Sequence, residues 1–144
     1  MTVEPELIER YVRDGQVRLV FRSVLSYGER ARRASEAAAC AGQQGQFWPM
    51  RGLIFMRQAD LFQLDPAAMP DVLIGYASEI ESVDTAAFRA CVTSRETLAA
   101  IEAADAEQRS RGIISQPIFE IGSTRLYGLQ SVEAFARAIE AAQP

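Results

Sequence analysis

The chain has 144 residues, of which 49% are apolar and 24% charged, with a net charge of −4, the size and composition of one globular domain with a real hydrophobic core. It contains no histidine, and its 15 basic residues are all arginine, which excludes histidine-based triads, imidazole metal sites, Schiff-base lysines and the lysine of a Walker loop. The acidic balance argues against nucleic acid as the main partner. No apolar run approaches the roughly 18–20 residues that cross a bilayer, and the acidic start MTVEPELIER has no apolar signal region.

Pro5 suits a first helical turn, and Leu7, Ile8, Tyr11 and Val12 follow at helical spacing before Asp14-Gly15 stops the helix. In QVRLVFRSV, Val17, Leu19 and Phe21 alternate with Arg18 and Arg22, which predicts a strand over Gln16–Arg22. The alanine-rich GERARRASEAAACAGQQG predicts a helix ending at Gly42 or Gly45. Its cluster of Arg30, Arg32 and Arg33 with Glu29 and Glu36 reads as a solvated face of mixed sign, with a phosphate or carboxylate clamp as the alternative. FWPMRGLIFMRQ resumes the helix with Pro49 in its first turn and Phe47, Met50, Ile54 and Phe55 turned inward. Phe47 and Trp48 are expected to pack this helical part against a sheet.

ADLFQLDPAAM reads as a loop, after which Pro70 opens a helix with Leu73, Tyr76, Ala77 and Ile80 on one face. Asp84 is placed to cap a short helix carrying Phe88, Cys91 and Val92, and Thr93 with Glu96 matches a capping box for the next, running to about Arg109. Gly112 ends the helical run, and Gly122-Ser123 joins strands Pro117–Ile121 and Arg125–Tyr127 in a hairpin. Ser131 then caps a last helix striped by Val132, Phe135, Ala136 and Ile139. Helix, strand, several helices, two strands and a helix, without a repeat or linker, predict one α/β domain with a helical insertion.

AAACAGQQGQFW (Ala37–Trp48) and GIISQPIFEIG (Gly112–Gly122) together resemble stretches of the DsbA-like branch of the thioredoxin superfamily. VRLVFRSV, FRACVTS and LYGLQSVEAFARAI resemble further family segments in the same order, so the resemblance runs from about Val3 to Ala142. It implies a thioredoxin-like α/β fold over residues 1–144, with a helical insertion at about 29–110. The implied activity is thiol–disulfide exchange on cysteine-containing proteins or peptides, through a mixed-disulfide intermediate. It implies no metal or other cofactor, and it suggests an extracytoplasmic setting that the chain itself does not specify.

On local sequence alone, Pro117 reads as a trans proline at the entrance of an edge strand, where a residue without an N–H is tolerated. The resemblance implies instead a cis Gln116-Pro117 bond, with Gln116 and Pro117 facing an extended substrate. Gln116 stands where the family usually has threonine or valine, and Ser115 where it has glycine. Glu120 occupies a commonly apolar strand position, either facing solvent or adding a carboxylate near the site.

The family's C-x-x-C motif and the strand before it have no counterpart here, so no catalytic residue is assigned and the first core strand is expected to be absent. A sheet without that strand has open edges, which predicts a rearranged sheet, a homodimer swapped or paired through those edges, or an upstream segment lost from this chain. Cys40 and Cys91 lie on two different predicted helices. Three readings of them stay open: two buried apolar thiols, a disulfide across the insertion as in some DsbA-like proteins, or a redox sensor.

Overall fold

The computed structural model describes residues 3–144. Its chain gathers into two compact units, Ser23–Arg111 and the remainder, which joins the residues up to Arg22 to Gly112–Pro144.

The Ser23–Arg111 unit is helical: α2 (Gly28–Gly42), α3 (Phe47–Met56), α4 (Gln58–Leu61), α5 (Met69–Ser78), α6 (Thr85–Ser94) and α7 (Leu98–Ser110). Alanine makes α2 its hub. Ala34, Ala37, Ala38 and Ala41 are buried, and side chains this small let α3, α5, α6 and α7 all pack on one helix. Met50, Leu61, Met69, Leu73, Ala77 and Phe88 fill the space around it, all without solvent contact or nearly so. Burying such side chains contributes roughly 1.5–3 kcal/mol each.

Three expectations are corrected in this unit. The stretch from Ala59 to Met69 is not all loop: α4 takes its start, because Leu61 is an apolar anchor that is fully buried. Thr93 is no cap. The apolar spacing of Phe88, Cys91 and Val92 keeps α6 helical to Ser94, Arg95 ends it at φ 57°, and α7 starts at Leu98. In α3, Met50 and Ile54 are buried as the spacing predicts, but Phe55 is 38% exposed and Trp48 42% exposed. Both rings lie on the side of α3 that takes the Arg51 guanidinium, whose Cζ is 4.6 Å from the Phe55 centroid and 5.4 Å from that of Trp48.

Asp84 caps α6: its Oδ1 accepts from the N–H groups of Ala86 (2.9 Å) and Ala87 (3.0 Å). Its own backbone is held by Gln44, whose side chain accepts from the Asp84 N–H (2.7 Å) and donates to the Asp84 C=O (3.2 Å). Asp84→Ala is expected to lower the unfolding free energy by about 1 kcal/mol, the usual worth of an N-cap side chain, read from urea midpoints. Asp84→Ser is expected to keep most of it.

At the other side of α2, the Leu25 N–H donates to Asp105 Oδ1 at 2.8 Å and Arg109 Nε to Asp105 Oδ2 at 2.7 Å. Burial pushes the Asp105 carboxyl up, but Arg109 and the Leu25 N–H, with Arg32 beyond, outweigh it and hold Asp105 below the usual carboxylate range. A carboxylate depressed on folding contributes stability that is present above its unfolded pKa and lost as pH falls through its folded one. The urea midpoint of Asp105→Asn is therefore expected to lie below that of the native chain at neutral pH, with the gap narrowing on acidification. A gap independent of pH would mean that Asp105 acts only as a neutral acceptor.

In the other unit, α1 (Val3–Leu7) runs on into a π-helical turn (Ile8–Val12), and α1 packs on α8 (Val132–Ala142). Ser131 caps α8 through the Ala134 N–H at 3.2 Å, and Phe135, Ala138 and Ile139 form its buried stripe, with Val132 and Ala136 half-buried. The sheet is the antiparallel pair β1 (Ile118–Ile121) and β2 (Thr124–Tyr127), in the register Ile118↔Tyr127 to Ile121↔Thr124. Gly122, at φ 56°, takes the left-handed first position of the two-residue turn. A Cβ there would meet Ala142 Cβ at 3.0 Å. Phe119 meets Phe135 edge-on, with centroids 4.7 Å apart, and so fixes the hairpin on α8.

Gln16–Arg22 is not a strand. Its alternation suits a pleated surface, but a strand exists only as a pair, and among the described residues the sheet consists of β1 and β2 alone. Val17 N–H instead donates to Tyr11 C=O at 2.9 Å, closing the turn after the first helix.

Candidate functional site: a proline-led strand edge

Ile113 is buried, and the chain then surfaces: Ile114, Ser115, Gln116 and Pro117 are all exposed. The Gln116-Pro117 peptide bond is cis. The Pro117 C=O accepts from the Gly128 N–H at 2.9 Å, which extends the β1–β2 ladder by one pair on the side where proline lacks nothing but its donor.

That bond sets which residues of β1 look outward. Residues 117, 119 and 121 turn their backbone groups toward β2, so Ile118 and Glu120 turn theirs to the opposite edge. No strand of the described residues pairs with that edge. The outer edge of β2 differs, because Gln130 Nε2 donates to the Tyr127 C=O at 2.7 Å and occupies it. The outer edge of β2 is therefore blunted by a side chain, whereas the outer edge of β1, which starts at Pro117, faces no other strand among the described residues.

Glu120 lies opposite Arg125, and Arg125 Nε donates to Glu120 Oε1 at 2.9 Å, a cross-strand pair on the outer face. The Glu120 carboxylate raises the Arg125 guanidinium above its usual value. Glu120 is an exposed strand residue. Exposed Tyr127 and Leu129 lie on the neighbouring strand and just beyond it.

Cys40 and Cys91 are joined in a disulfide, with Cα atoms 5.9 Å apart, between α2 and α6. Both are buried and belong to the helical unit, whereas Gln116 and Pro117 belong to the other. The structure thus brings Gln116 and Pro117 together on one loop and the two cysteines together in one bond. With both cysteines bonded, the chain has no free thiol. Among the described residues no group of three or more His, Cys, Asp or Glu side chains could hold a metal ion. None of their helices is long and apolar enough to cross a membrane.

Sequence reasoning expected strand edges without a neighbour where the first core strand is missing, but it missed the partner of Glu36. Arg95 Nε and Nη2 donate to the two oxygens of that buried carboxylate at 2.9 and 2.8 Å, and Nη2 also reaches Glu29 at 2.8 Å. The other cations of the cluster have partners within the helical unit: Arg32 pairs with Glu102, Arg33 with Glu29, and Arg30 Nε donates to the Leu64 C=O.

A hairpin led by a proline and backed by a capped helix is an arrangement of a thioredoxin-like domain, and the comparisons agree. The family model described as thioredoxin matches residues 1–141; the chain belongs to the thioredoxin family, and its class is α/β. Among curated proteins it is 32% identical over 110 residues to the Na(+)/H(+) antiporter NhaA 1 of Salinispora arenicola. It is likewise 32% identical over 117 residues to the Na(+)/H(+) antiporter NhaA of Herminiimonas arsenicoxydans. These alignments take in 76% and 81% of the chain, which spans only 16% and 17% of those relatives' lengths. No solved structure matches. Family membership points to function of the thiol–disulfide type.

Proposed function

We propose that this chain is a DsbA-like thioredoxin domain whose Ser115–Pro117 loop and outer β1 edge hold an extended, cysteine-containing polypeptide. The observation that carries the reading is the outer edge of β1, which starts at Pro117 directly after an exposed loop and with which no strand of the described residues pairs. Such an edge offers donors and acceptors to an added strand, which binds by main-chain hydrogen bonds. Gln116 supplies a further amide at the entrance. The helical segment of about 29–110 belongs to the same domain in this reading.

Exchange requires a thiolate to attack a disulfide sulfur, forming one S–S bond while the other breaks and releases a thiolate. Cys40 and Cys91 are buried and already bonded to each other, so the chain by itself holds the substrate and does not exchange it. The expected result is a background rate of insulin reduction in the presence of dithiothreitol. In ¹⁵N-labelled protein, a cysteine-containing peptide of extended design is expected to shift the amides of Gln116, Ile118 and Glu120. Robust reductase activity, or shifts confined to other residues, would overturn the proposal.

A second reading is a redox-inactive binding module that serves a sodium–proton antiporter. It is favoured by the names of both curated relatives, of which this chain matches a small part. The same peptide with serine in place of cysteine separates the two. Equal binding supports the module, and loss of binding supports the cysteine-directed holder.

A further inference from the structure

A groove of about 710 Å³ lies on the helical unit, walled by Tyr27, Phe55, Met56 and Phe62, with Arg30, Gln58 and Gln63 among its polar lining. Its apolar walls stand in water: Tyr27 is 59% exposed and Met56 78%. Tyr27 and Phe62 meet edge-on with centroids 5.9 Å apart, so this wall is set by ring packing.

The chemistry of the groove has a sign. Arg30 is the only ionisable side chain in its lining apart from the Tyr27 phenol, and no carboxylate lines it, although the chain as a whole carries −4. The Nε bond of Arg30 to the Leu64 C=O, 3.1 Å, anchors the guanidinium on the Leu64 backbone. None of the described carboxylates forms an ion pair with it, which leaves its terminal nitrogens for a ligand. An apolar trough with one anchored cation is complementary to an apolar segment bearing one anion. The recess is open to the surface, and an acidic side chain can present the anion from any position of a segment, whereas a chain end presents it only at the terminus.

We infer that this groove docks an internal segment of a partner protein, apolar on the side that meets Tyr27, Phe55, Met56 and Phe62, with one aspartate or glutamate placed against Arg30. This surface is independent of the Pro117 edge, and neither proposal rests on the other.

Binding is read from the backbone amides of the lining residues Tyr27, Met56 and Phe62 in ¹⁵N-labelled protein. The probe is a short acetylated and amidated peptide of leucine and phenylalanine around one central glutamate, compared with the same peptide carrying glutamine. Titration is expected to shift these amides saturably, with the glutamine peptide binding about tenfold more weakly, the worth of one charge-assisted hydrogen bond. Arg30→Gln is expected to abolish that preference. Met56→Ser, at an exposed position, is expected to weaken both peptides alike while leaving the fold intact.

Equal affinity of the native chain for the two peptides, or no shift of the lining amides, would overturn the assignment. So would concentration-dependent dimerisation that Met56→Glu abolishes, which would seat a second copy in the groove. Binding to phosphatidylcholine vesicles that Met56→Glu abolishes would give the face to lipid and overturn it equally.

Discussion

Arg95→Ala is expected to cost about 3 kcal/mol of unfolding free energy, by leaving the Glu36 carboxylate buried without its partner. Glu36 is 1% exposed, and both of its oxygens accept from the one guanidinium. Removing one side of a buried pair strands the other charge, and this desolvation cost is what the measurement reads. The figure is set at the low end of the usual range because the Arg95 side chain reaches solvent on its far side, where it meets Glu29.

The backbone at Arg95 adds a second test. Its φ of 57° is the left-handed region, which costs a residue with a Cβ roughly 1–2 kcal/mol and glycine nothing. Arg95→Gly is therefore expected to be about 1 kcal/mol less damaging than Arg95→Ala. Glu36→Leu combined with Arg95→Gly is expected to recover most of the loss, since an apolar replacement of a buried pair is often near neutral. Chemical denaturation of the three variants gives the result. If Arg95→Ala left stability unchanged, the Glu36 carboxylate would have to reach solvent or another partner in the variant.

Removal of the disulfide by Cys40→Ala with Cys91→Ala is expected to cost about 4 kcal/mol. This follows from the loop that the bond closes over a sequence separation of 51, which restricts the unfolded chain. The denaturant midpoint of the variant against the oxidised native chain tests it. A loss under about 1 kcal/mol would mean that the unfolded chain is already compact in this region.

The two effects share a seam. Glu36 and Cys40 stand one helical turn apart on α2, as Cys91 and Arg95 do at the end of α6. Just past the ends of both helices, Gln43 Nε2 donates to Glu96 Oε1 at 2.9 Å. An ion pair, a covalent bond and a hydrogen bond thus lie close together where the C-terminal parts of α2 and α6 meet. Neighbouring ties of this kind are not additive. Without the disulfide, α6 is freer to move off α2, and Arg95→Ala is then expected to cost less than it does in the native chain.

The elements most legible in the sequence were those whose signal is local. Asp84 and Ser131 were placed as caps because a cap needs only the helix that follows it, and both hold the N–H groups expected of them. Gly122 and the hairpin were legible for the same reason, since a two-residue turn is decided by its own residues. Thr93 and Glu96 had the letters of a cap and failed, because the apolar contacts of Phe88, Cys91 and Val92 hold the helix past that point. Gln16–Arg22 had the alternation of a strand and failed, because β structure is completed by a neighbour and not by the segment itself.

By itself, then, the sequence determined the helical spacing, the caps, the hairpin turn and a chemistry without histidine or lysine, because each depends on residue type and near neighbours along the chain. Only the tertiary structure decided that Glu36 is a buried anion answered by Arg95, and that Cys40 is bonded to Cys91. It alone decided that Tyr27, Phe55, Met56 and Phe62 share one groove with Arg30. These pairings join residues far apart in the chain, and their energies come from desolvation and charge, both of which depend on what stands opposite.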